Sequence, residues 1–219
     1  MRDYRDVELS ELPDFALETL TAMVDDEGKW SDDENDHPTK YGIRELVARR
    51  FGWEREVREI EYNDAMRMWA LHSWYGPRYD LVAQQSYLIA KQVMDTSGPA
   101  GTAQATRHLQ TMLNDLNDPV STGGNRYGID LKVDGLMGFN TSRRLESYLD
   151  HRGVEGDGVL ALAVNAFQLK HMSLTAAKNP GKRDFIYGWW HKRVYLDVVE
   201  IMEYMKTATS IKKHNYGYA

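Results

Sequence analysis

Pro13-Asp14-Phe15-Ala16-Leu17-Glu18-Thr19-Leu20-Thr21-Ala22-Met23-Val24-Asp25-Asp26-Glu27-Gly28, near the front of the chain, is the stretch on which the reading of the fold turns. Phe15, Leu20, Met23 and Val24 recur close to helical spacing, Pro13 and Asp14 suit a helix start and Gly28 suits its end, which predicts a helix over 13–27. Leu20, Met23, Val24 and Glu27 fall on one face of that helix, so a carboxyl sits at the end of an apolar stripe. A carboxyl partly withdrawn from water is harder to ionise; its pKa rises and it keeps a proton near neutral pH, as a general acid must. The plainer alternative swings the side chain past Gly28 into solvent.

Working outward, helical periodicity dominates and strand alternation is scarce. Ile43, Leu46, Val47 and Phe51 predict a short helix ending at Gly52. Asn63 or Asp64 caps a helix carrying Met66, Trp69 and Ala70 that breaks near Gly76-Pro77 and resumes over about 80–94. Ala105, Leu109, Met112, Leu113 and Leu116 form the clearest amphipathic pattern. Residues 117–140, with Pro119, Gly123-Gly124, Gly128, Gly135 and Gly138, predict a turn-rich excursion holding a small hairpin. Thr141 is expected to cap the next helix, and two more follow at about 157–178 and 184–206, separated by Asn179-Pro180-Gly181. The fold class is therefore mainly α with a small glycine-rich turn or hairpin insertion.

The composition of the 219 residues fits a globule: 42% apolar, 27% charged and 11% aromatic. That balance excludes fibres and disordered chains. Cysteine is absent, which excludes disulfides, a thiol nucleophile and thiolate metal sites. No apolar run approaches the roughly 18 residues of a membrane span, so no membrane insertion is expected. Residues 1–64 hold 19 acids against 9 bases, and residues 170–219 hold 9 bases against 4 acids. An acidic front and a basic back, with a net charge of -6, do not make a nucleic-acid binder. The seven histidines show no ligand pair at helical spacing, so no metal is expected, and no phosphate-loop or dinucleotide fingerprint calls for a cofactor. The start of the chain shows no secretory signal, which predicts a protein made and kept, at least initially, in a cytoplasm.

Nine residues after Glu27 comes Asp36, in an acidic, turn-forming loop where water is expected to keep it ionised, followed by Thr39 and Tyr41. A protonated and an ionised carboxyl flanking one bond are what glycoside hydrolysis requires. Asp36 alone is weak, because Asp32, Asp33 and Glu34 are equally acidic neighbours. The set Glu27-Gly28-Lys29-Trp30, Asp36, Thr39 and Tyr41-Gly42-Ile43 resembles the signature of glycoside hydrolase family 108, the N-acetylmuramidases found among phage endolysins. Downstream, Trp74-Tyr75, Asp95, the Ala105 to Gln110 helix, Val133-Asp134-Gly135 with Gly138 and Thr141, and Gly188-Trp189 with Arg193 resemble the rest of that family and its C-terminal peptidoglycan-binding region. The chain departs at Lys29, where a glycine is expected, and at His37-Pro38, which replaces a double glycine.

The resemblance implies a lysozyme-like helical fold and cleavage of the β-1,4 bond between N-acetylmuramic acid and N-acetylglucosamine, lysing bacterial cell wall. Glu27 is then the general acid, Asp36 its ionised partner, and Thr39 holds the attacking water. Tyr41 shapes the floor, and Trp30, Trp74 and Tyr75 line the sugar groove, although tryptophan in a helical protein more often serves the core. The implied division is a catalytic region over 1–95, a helical peptidoglycan-binding region over 96–206 and a loose tail over 207–219, working as a monomer with peptidoglycan as partner. Two rivals remain: a lytic transglycosylase, which needs the acid but not Asp36, and a non-catalytic wall-binding or virion structural protein on a lysozyme scaffold.

Overall fold

Helix α1 spans Asp14–Glu27 in the computed structural model, which describes residues 3–31, 38–117 and 127–216, with side chains as far as Thr207. Leu20, Met23 and Val24 are buried, as their spacing requires. Helix α2 covers Glu45–Arg50 and α3 covers Tyr62–Ala70, which continues into a π-helical turn, Leu71–Tyr75. The chain divides into two compact units, 1–78 and 79–219, and these elements belong to the first. There α1 packs on α3, whose Ala65, Met66 and Met68 are buried opposite it. Each fully buried leucine-sized side chain contributes about 2 kcal/mol to this core. Trp53 is buried as well, and its indole N–H donates to Glu56 O at 3.1 Å.

Between α1 and α2 lies the one two-stranded sheet among the described residues. Strands β1, Thr39–Lys40, and β2, Ile43–Arg44, run antiparallel, with Thr39 opposite Arg44 and Lys40 opposite Ile43. Tyr41 (φ 53) and Gly42 (φ 73) both occupy the left-handed region. A two-residue turn of that kind has the twist that joins strands directly. Ser31 extends the sheet by one bridge, exchanging backbone bonds of 3.0 and 2.9 Å with Thr39. Ile43, expected at the head of a helix, is a strand residue because this turn sets it on the buried side of the hairpin.

The second unit contains α4 (Tyr79–Ala83), α5 (Tyr87–Ala100), α6 (Thr102–Asp115), α7 (Phe139–Lys178), α8 (Arg183–Trp190) and α9 (Leu196–Tyr216), with a π-helical turn, His191–Tyr195, between the last two. The buried helix α5 contacts α4, α6 and α7, and α9 lies along α7. The helix expected over 80–94 is thus two helices. Ser86 divides them, its Oγ accepting from Ile89 N at 3.1 Å as an N-cap. The helices expected near Thr141 and over 157–178 are one element broken at Gly153 (φ 61). Thr141 does not cap it. Gly138 holds that position, and the buried Thr141 hydroxyl instead meets the Gln110 amide at 3.1 Å. Helix α9 runs on to Tyr216 where a loose tail was expected from 207, since no glycine or proline interrupts the sequence before Gly217.

The glycine-rich excursion holds no strand over its described part, 127–138. Side-chain amides of α6 and Asn117 take the place of a strand partner. Asn114 donates to Leu131 O at 2.9 Å and accepts from Leu131 N at 2.7 Å, Asn117 serves Gly128 O and Tyr127 N, and Gln110 Oε1 accepts from Gly135 N. At Gly135 (φ 81) a Cβ would stand 2.7 Å from Ala103 O, so only glycine fits. No helix among the described residues is long and apolar enough to cross a membrane. The class is mainly α, a lysozyme-like helical fold.

Candidate active site

Helix α1 ends where the sequence reading placed the acid. Gly28 caps it (φ 74), its N–H reaching Asp25 O at 3.3 Å, and Glu27 is the last helical residue. Glu27 is exposed rather than withdrawn into the apolar stripe, because the helix stops before another turn can cover that position. The side chain nevertheless has a definite seat. A Cβ built on Gly42 would lie 2.8 Å from Glu27 Cγ and Oε2 and 2.9 Å from Cδ. The carboxyl therefore rests on the bare backbone of the hairpin turn, in space that any other residue at position 42 would fill.

The turn is itself anchored from below. The Trp69 indole N–H, on α3, donates to Tyr41 O at 2.9 Å. The Tyr41 ring meets Tyr62 edge-on at 5.7 Å, and the Tyr62 hydroxyl donates to Asp25 Oδ1 at 3.1 Å, two residues before the acid. Burial and this carboxylate both push the Tyr62 phenol above its ordinary range, so the proton stays on the bridge. The circuit Asp25, Tyr62, Tyr41, Trp69 fixes the hairpin turn to the end of α1. Trp69, Tyr62 and Asp25 escaped the sequence reading; the only signal was that a half-buried indole or phenol needs a polar partner.

The other expected residues fall in three places. Thr39 is half-buried on β1, paired with both Ser31 and Arg44, which sets it on the same hairpin as Gly42. Asp36 lies outside the described residues. Trp30 is 43% exposed and lines a groove of about 940 Å³ together with Pro38, Arg44, Leu46 and Arg58, with the Arg58 guanidinium 5.9 Å over its ring. Trp74 is only 3% exposed and meets Phe15 edge-on at 5.7 Å. It is a core residue and offers no open ring face to a sugar. Tyr75 is half-buried at the end of the same π-helical turn.

In the second unit, Asp95 and Arg193 meet: Nη1 lies 2.7 Å from Asp95 Oδ1, and Gln168 donates to Oδ2 at 2.5 Å. Both charged side chains are 14% exposed. A pair so shielded and so fully bonded ties the turn at 191–195 to α5, a structural task. Asp134 is structural too: the Gln110 amide and the Leu136 N–H hold its carboxyl below the usual carboxylate range and fix the tight turn at Gly135.

The first unit thus holds a carboxyl seated on a glycine turn and a groove with an open indole, and comparison with known proteins gives the class to which the chain is similar. Residues 20–101 match the family described as Glycosyl hydrolase 108, and residues 104–194 match one described as Predicted Peptidoglycan domain. The chain thus carries a glycosyl hydrolase 108 region, which includes Glu27 and the hairpin, followed by a peptidoglycan domain; together they support a peptidoglycan hydrolase of the glycoside hydrolase class. The solved structure of Brucella abortus SagA is similar in fold, with a TM-score of 0.51 at 17% identity over 87% of this chain and 95% of that one. No curated protein sequence matches the chain.

Proposed function

We propose that the chain is an N-acetylmuramidase that hydrolyses the β-1,4 bond between N-acetylmuramic acid and N-acetylglucosamine. The observation that carries the reading is the seat of Glu27 on Gly42, which joins two separated parts of the motif into one acid-bearing corner. Glu27 protonates the departing glycosidic oxygen. Asp36, at the offset of nine that the family resemblance requires, activates the water or faces the oxocarbenium-like transition state, and Thr39 orients that water. Because Glu27 is exposed in the free protein, the water around it is displaced by the glycan as it enters, and the sugar supplies the shielding that the apolar stripe does not. Trp30 stacks on the C–H face of a sugar at the groove mouth, and Tyr41 forms the floor.

Residues 1–95 perform the cleavage and residues 96–206 hold the wall. The protein acts as a monomer, as a phage endolysin that stays in the host cytoplasm until it is released to the wall. The test is lysis of outer-membrane-permeabilised bacteria by Glu27→Gln, with folding checked by circular dichroism. Turbidity clearance is expected to fall by a factor on the order of a thousand, the scale of losing a general acid in a two-carboxylate site. Clearance at the wild-type rate would remove Glu27 from the reaction and with it this assignment.

A further inference from the structure

The second unit has a groove of its own, of about 680 Å³, between the glycine-rich loop and the start of α7. Its floor holds Arg144, which is only 5% exposed. The guanidinium donates from Nε to Tyr127 O at 3.0 Å and from Nη2 to Ile129 O, but Nη1 has no acceptor and no carboxylate forms an ion pair with it among the described residues. Burial pushes its pKa down, with the Asp130 charge acting the other way. A buried cation with one guanidinium nitrogen lacking an acceptor and no carboxylate in hydrogen-bonded contact is costly, and part of the cost is recovered when an anion arrives.

The rim fits the same ligand. Lys132 and Arg143 are exposed and enter no ion pair among the described residues, while Arg143 stands over the Phe139 ring at 5.6 Å. Two acids also line the groove and offset part of its charge, each held by the loop: Asp130 accepts from Asn117 at 2.8 Å, and Asp134 from Gln110 and Leu136 N, which leaves three cations against two carboxylates. Beside the cations stand three apolar side chains left open to solvent: Ile129 at 87% exposure, Leu136 at 69% and Phe139 at 71%. Positive groups next to an apolar rim select an anion attached to small apolar groups. In peptidoglycan the glycan offers no such group, because its amines are acetylated and its lactyl carboxyls are consumed in amide links; the free carboxylates and the alanine methyls belong to the peptide.

We propose that this groove binds the stem peptide of peptidoglycan, a peptide carboxylate sitting among Lys132, Arg143 and Arg144 and its methyl groups against Ile129, Leu136 and Phe139. The proposal rests on the reading of the chain as a peptidoglycan hydrolase and names the part of the polymer that this face takes. Arg144 supports the loop through two bonds, so its replacement risks the fold, and the test uses the exposed pair. Calorimetry on the full chain compares Lys132→Gln/Arg143→Gln with wild type, titrating a disaccharide tetrapeptide, the same disaccharide stripped of its peptide with its lactyl carboxyl capped as the primary amide, and a glycerol phosphate oligomer.

The expected result is a loss of affinity for the tetrapeptide of about tenfold or more in the double variant, diminishing at high salt, with no difference for the stripped disaccharide. Equal tetrapeptide affinity in the two proteins overturns the proposal. So does an equal loss for the stripped disaccharide, or a loss confined to glycerol phosphate, which would make the ligand a wall polymer's phosphate. Release of reducing ends from intact sacculi by wild type is scored separately. Its absence would defeat the hydrolase reading, while the peptide-dependent contrast would still establish the groove.

Discussion

Gly42 carries more of the account than any other single residue outside the acid. Its positive φ of 73° and the 2.8 Å clearance to the Glu27 carboxyl forbid a side chain for two independent reasons. Gly42→Ala is expected to lower stability by about 1–2 kcal/mol through left-handed strain. It should lower muralytic turnover by about tenfold or more, because the methyl pushes the acid off its seat and misplacement on the scale of an ångström is enough. Urea unfolding and turbidity rates read the two effects. A stability loss without a rate loss would mean that the seat plays no part in the chemistry. At this scale the sequence was legible in identity but not in environment. Glu27 and Tyr41-Gly42-Ile43 announced themselves as a motif and the helix ends at Gly28 as its spacing predicts, whereas spacing alone did not decide between the apolar stripe and solvent for the Glu27 side chain, which is exposed. Trp74 was misread for the complementary reason: a tryptophan next to a glycine-proline break gives no sign of which way its ring turns, and Phe15 decides it.

Among the elements, α6 was the most legible, because its apolar spacing leaves one face to bury, and Ala105, Leu109 and Leu113 occupy it. The amides on α6 and just beyond its end were not legible. Gln110, Asn114 and Asn117 look like solvent-facing polar residues, yet their amides hold the 127–138 loop in place of a strand. His108 sits on the same helix, 6% exposed, with its ring 4.7 Å from Phe167 and Nε2 2.9 Å from the Gln104 amide. Burial, then the charges of His171 and Lys170, lower its pKa from 6.5 to about 4. The folded chain therefore refuses a proton that the unfolded chain accepts below 6.5, and stability falls as the pH is lowered from 6.5 toward 4. Relative to His108→Gln, the wild type should lose on the order of 2–3 kcal/mol across that window. Urea unfolding at a series of pH values checks this, and parallel curves for the two proteins would show that His108 titrates alike in both states. The π-helical turns at Leu71–Tyr75 and His191–Tyr195 had no sequence signal, since a widened turn follows from packing rather than from any breaker residue.

For the whole molecule, the chain carries a glycosyl hydrolase 108 region followed by a peptidoglycan domain. The class and the order of those regions were legible because helical spacing and an ordered string of short motifs survive without any side-chain detail. The groove around Arg144 was not, because it is made by a loop folding back on a helix start within 127–147 and by the distant Gln110. The most direct measurement is mass spectrometry of purified sacculi digested by wild type and by Glu27→Gln. Fragments ending in a reducing N-acetylmuramic acid from wild type, and none above background from the variant, are the predicted result; fragments ending in 1,6-anhydromuramic acid, or equal digestion by the variant, would contradict it.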